Sequence, residues 1–95
     1  MKYHLPLDPA ERVAVWCESL KRIGSAEIDV ALEGAQIDID VAKIEMRQAA
    51  GEPLLEERNS LKKRELENRM MVLCLAYQKD KLEGAINDVR FGFST

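Results

Sequence analysis

Few side chains in this 95-residue chain are of the kind that performs chemistry. His4 is its one histidine, and no patterned carboxylate or cysteine stands near it in the sequence. A general base or metal ligand there lacks the partners such work needs. Cys17 and Cys74 are the only cysteines, and no CxxC or Cys/His spacing marks zinc. Each falls in an apolar helical pattern and reads as a small buried hydrophobe. The acidic side chains do not form a metal box either, because helical di-metal sites need Glu-x-x-His pairs projecting inward. No phosphate loop, calcium loop or nucleophile elbow occurs. The expectation is a chain with no catalytic residue, no cofactor and no metal, and so not an enzyme.

Two groups of residues suit binding instead. Arg58, Lys62, Lys63, Arg64 and Arg69 form a basic run broken by Glu65 and Glu67, with no aromatic among them. Such a run either pairs with an acidic helix of the same chain or touches phosphates. Interleaved glutamates and missing aromatics favour the first. Past the last helix, Phe91 and Phe93 alternate in a short tail, placed either to dock back on the body or to anchor a partner. Trp16, Met70 and Met71 read most simply as core.

Composition sets the frame for these residues. The chain is 46% hydrophobic and 33% charged, with five Gly and three Pro, as suits long solvated helices in a single domain. Two cysteines make no disulfide framework, and residues 1–12 hold no apolar signal core. Both point to a cytoplasmic protein. The longest apolar run, residues 70–77, is far too short to span a membrane. Net charge is −3, against a dominant nucleic-acid surface. Residues 25–52 carry two basic and seven acidic side chains, whereas Arg58–Arg69 carries five basic and two acidic. Folding one segment back on the other brings opposite charges together.

Punctuation divides the chain into three predicted helices, an all-α fold. Asp8-Pro9-Ala10-Glu11 provides an N-cap, a first-turn proline and a glutamate three residues on. Val13, Trp16, Cys17, Leu20 and Ile23 follow at helical spacing, and Gly24 reads as the stop, giving a short N-terminal helix over 9–23. Ser25 reads as the next cap, for a second helix over 25–50 that closes at Gly51-Glu52-Pro53. The third runs over 53–89, with a bend near Asn59-Ser60 left open. The alternation Ile37-Asp38-Ile39-Asp40-Val41 has a strand's period, but the unbroken stretch around it favours helix. At 1.5 Å per residue the second and third helices measure about 40 and 55 Å, too long for a compact globule of this mass. They read as a long antiparallel hairpin.

Residues 25–50 carry two apolar stripes. Ile28, Leu32, Ala35, Ile39, Ala42, Met46 and Ala49 form one, and Val30, Gly34, Ile37, Val41 and Ile44 the other, about half a turn away. A helix lying on a surface has one such stripe. Two imply neighbours on both sides. In the third helix, Leu54, Leu61, Asn68, Leu75, Leu82 and Val89 recur every seven residues in a coiled-coil pattern. A second set, Leu66, Met70, Leu73 and Tyr77, is expected about a third of a turn away. A short first helix cannot cover the whole second stripe. Self-association through Val30, Gly34, Ile37, Val41 and Ile44 is therefore expected, with Asn68 fixing register and a homodimer as the default.

These features define a small non-enzymatic protein–protein interaction module. An adaptor, a chaperone, or an inhibitor that occludes a larger assembly all fit, and small size without catalytic groups suits accessory proteins of phages and mobile elements. Its partners are a second copy and another protein. Two alternatives use the charges: a nucleic-acid-associated regulator with a basic helix face, and an acidic nucleic-acid mimic.

Overall fold

The computed structural model describes residues 8–91, which form two long helices, α1 (Pro9–Ala49) and α2 (Leu55–Arg90), packed side by side as an antiparallel hairpin. His4 and Phe93 lie outside the described residues. The α1 start is as the sequence dictates: Asp8 accepts a hydrogen bond from the Glu11 backbone N–H at 3.0 Å, with Pro9 in the first turn. That contact holds the Asp8 carboxyl below its ordinary value.

Gly24 does not stop the helix. The separate segments expected over 9–23 and 25–50 are one helix of 41 residues. The seam explains why. Trp16, Ile23, Val30, Ile37 and Ile44 recur every seven residues straight through Gly24-Ser25, with no break in phase. α2 runs alongside α1 on both sides of Gly24, so packing there outweighs the ~1 kcal/mol that a helical glycine costs. Ser25 lies inside the helix and has no N-terminus to cap.

The turn does follow its punctuation. Gly51 has φ 95°, a left-handed conformation that glycine adopts without a Cβ penalty. The Gly51 N–H donates to the Gln48 carbonyl at 2.9 Å and the Glu52 N–H to the Arg47 carbonyl at 3.1 Å. Together they close α1 as a Schellman motif. The Arg47 guanidinium then meets the Glu52 carboxylate at 2.7 Å. Leu54, buried at the start of α2, fills the space under the turn. α2 continues through Asn59-Ser60 without interruption.

The result is a rod. Its extents are 64 × 31 × 21 Å and its radius of gyration is 20.5 Å, against about 12–13 Å for a compact domain of this length. Among the described residues only Ile23, Ile37, Leu54, Leu61, Leu75 and Ile86 are buried. All of them lie on the seam. A pair of helices has one mutual contact line, so it cannot enclose a broader core.

Candidate interaction surface

The seam uses several residues that the sequence assigns elsewhere. Val30, Gly34, Ile37, Val41 and Ile44 lie against α2 of the same chain, with Ile37 only 2% exposed. This corrects the assignment of that stripe to contacts between copies. A first helix that continues into the second cannot fold back over it, so α2 takes one stripe and the other is left bare. Asn68 also faces the seam. Its Nδ2 donates to the Val30 carbonyl oxygen at 2.9 Å, and a Cβ at position 34 would lie 3.2 Å from its Oδ1. Gly34 thus makes room for the amide to reach the α1 backbone, and this polar contact ties the two helices at one register.

Most of the basic run is occupied within the chain. Arg64 reaches across the seam to Glu33 at 3.0 Å and Asp40 at 3.1 Å, two acids one heptad apart. Asp40 also accepts from the Gln36 amide at 3.0 Å; that bond, then Arg64, holds its carboxyl below the ordinary value of 3.8. Arg58 donates to Gln48 at 3.2 Å, and Lys62 lies 3.3 Å from Glu65 on its own helix. Farther along, Lys79 approaches Glu27 at 3.8 Å. Lys63 and Arg69 are exposed, with no ion-pair partner among the described residues. At ~100° per residue Arg58, Lys62 and Arg69 fall within about 40° of one another on α2, whereas Lys63 and Arg64 point elsewhere.

The remaining chemical candidates are scattered. Cys17 is half-buried and Cys74 exposed, both free, so the expected burial fails for Cys74. Among the described residues no group of His, Cys, Asp or Glu gathers to hold a metal ion. No described helix is long and apolar enough to cross a membrane. Grooves beside the seam, such as that bordered by Val41, Ile44, Gln48, Arg58 and Leu61, are lined by the residues that hold the hairpin together. Phe91 stands just past α2, 75% exposed and not docked on the body.

What the hairpin displays is apolar. Thirteen large hydrophobic side chains are exposed among the described residues, against six that are buried. They are not spread at random. Ile28, Leu32, Ile39 and Met46 line the edge of α1 turned away from α2, with Ala35 and Ala42 between them. Leu66, Met70, Leu73 and Tyr77 line the opposite edge, on α2, about half a turn from Leu61, Asn68 and Leu75. Both sets are visible in the sequence as apolar stripes. The signal missed there is the unbroken heptad through Gly24, which determines which stripe is spent inside the chain.

Comparison of the chain with family models, with curated proteins and with solved structures gave no match.

Proposed function

We propose that this protein is a non-enzymatic protein–protein interaction module that works as a homo-oligomer. It acts by presenting rigid helical surfaces to another protein, as an adaptor, chaperone or occluding inhibitor does. The observation that carries this reading is the pair of bare apolar strips on opposite edges of the hairpin. Soluble monomers rarely leave contiguous apolar surface of this extent uncovered. A basic nucleic-acid face has weaker support, because only Arg58, Lys62 and Arg69 share a face of α2 and the first two of these are engaged within the chain.

The test is mass in solution. Light scattering on the purified chain should give more than the 10.8 kDa of one copy. A chain that stays at one copy throughout the micromolar range overturns the homo-oligomer. Retention on DNA or RNA that falls steeply with added salt would replace the proposal with the nucleic-acid reading.

A further inference from the structure

Given self-association, the two strips match each other in spacing, and a contact between them uses both. Along α1, Ile28, Leu32, Ala35 and Ile39 are separated by four, three and four residues. Along α2, Leu66, Met70, Leu73 and Tyr77 repeat that spacing. Set antiparallel, Ile28 meets Tyr77, Leu32 meets Leu73, Ala35 meets Met70 and Ile39 meets Leu66. Each of these four rungs has a rung of the other strip opposite it, and the large Met70 falls on the small Ala35; Met46, farther along α1, falls level with Asn59.

This register is also that of the chain's own seam. There Glu27 meets Lys79, Gln48 meets Arg58, and Asp40 meets Arg64, all at nearly the same offset. A second copy docked in this way stands beside the first with its turn at the same level. The helices α1, α2, α1, α2 then lie side by side with an axial slip of no more than about one helical turn.

Charge is balanced in this register, whereas it opposes pairing of two α1 edges. On one flank of the α1 strip stand Asp38 and Glu45, both exposed. In this register Asp38 lies within about 3 Å, along the axis, of the level of Arg69, and Glu45 is equally close to Lys62. Arg69 has no ion-pair partner within the described residues, and the exposed Lys62–Glu65 pair exchanges at little cost. Glu27 comes as near the level of Asp80 as Glu45 does to Lys62, and across the other flank Lys43 meets Lys63, so two unfavourable pairs balance two favourable ones. Two α1 edges placed together would instead set Asp38 near Asp38 and Glu45 near Glu27. The two strips expose on the order of 900 Å², close to the ~1,000 Å² of a specific interface before flanking side chains are added.

We infer that the occupant of each edge is a second copy of this chain, bound α1 edge to α2 edge. The contact is heterologous, so it leaves a free edge at each end and propagates into a ring or an open ribbon, not a twofold dimer.

Two single substitutions and their mixture test this. Ile39→Glu blocks the α1 edge and Leu73→Glu the α2 edge. Both side chains are at least half exposed, so each hairpin should keep its helical circular dichroism. Alone, each variant should associate at least 100-fold more weakly than the parent chain and run as one copy. Mixed in equal amounts, the intact α2 edge of one meets the intact α1 edge of the other, and a two-copy complex should form and grow no further. A mixture that stays at one copy while the parent chain associates overturns the heterologous contact and leaves self-association standing. So does either variant dimerising alone. Should the parent chain itself remain at one copy, the failure lies in the homo-oligomer reading. As a second check, Arg69→Asp should weaken association and Asp38→Arg should restore it; no rescue argues against this register.

Discussion

Three residues set how tightly and in what register the hairpin closes. At Gly51 a Cβ must enter the left-handed region, at about 1–2 kcal/mol for an L-residue. Gly51→Ala should lower unfolding stability by that amount in a denaturant titration, and an unchanged midpoint would show that the turn relaxes freely. Asn68 acts in the opposite sense. Its amide contact with Val30 contributes about 1 kcal/mol net, whereas a leucine there would add apolar burial worth roughly 1.5–3 kcal/mol. Asn68→Leu should therefore raise the midpoint, and the loss should show in register, as broadened or doubled amide signals from residues near Gly34. A single sharp set of signals would deny Asn68 that role. Arg64 adds a pH dependence. The folded-state pKa of Asp40 is depressed, first by Gln36 and then by Arg64, so its contribution is present above the ordinary value of 3.8 and is lost as pH falls through the lower folded value. The stability gap between the parent chain and Arg64→Met should thus be full at neutral pH and close in acid. A gap that is constant down to pH 2 would assign it to packing of the arginine stem.

At the scale of the element, most of the hairpin was legible. The Asp8-Pro9 start, the Gly51-Pro53 turn and the Leu54–Val89 heptad are local signals, and the structure uses each as written. Antiparallel pairing across that turn places residue 70 near residue 34; Asn68 occupies the spot. Gly24 was misread because local punctuation and tertiary packing disagree there. A glycine-serine pair with cations before it has the composition of a helix end, but the seven-residue phase from Trp16 to Ile44 belongs to a single helix. Which of two equal stripes becomes the seam depends on that continuity, so one error about Gly24 carried over to the assignment of Val30, Ile37 and Ile44. The same residue offers a test. Nothing lies within 4 Å of a Cβ at position 24, so Gly24→Ala should stabilise the chain by about 1 kcal/mol through helix propensity alone. A destabilised variant would mean that the helix needs a hinge there.

For the whole molecule, the proposed self-association would couple folding to assembly. Six buried apolar residues along one seam give a single hairpin little to set against the entropy of ordering more than eighty residues. A contact that covers the outer strips binds the folded hairpin and not the unfolded chain, so it stabilises by mass action. Each tenfold rise in protein concentration then adds about 1.4 kcal/mol per interface formed. For a chain of this size 1 kcal/mol moves the melting temperature by roughly 4–8 °C. Scans at 5, 50 and 500 μM should therefore climb by several degrees per step for the parent chain. Ile39→Glu and Leu73→Glu should melt low and independently of concentration, and an equimolar mixture of the two should regain part of the slope, because each mixed pair forms one interface and has no free strip left to extend. A parent chain whose melting temperature is flat over that range, and as high as that of an ordinary small domain, would mean that the seam alone holds the fold and that the bare strips are not what stabilises it.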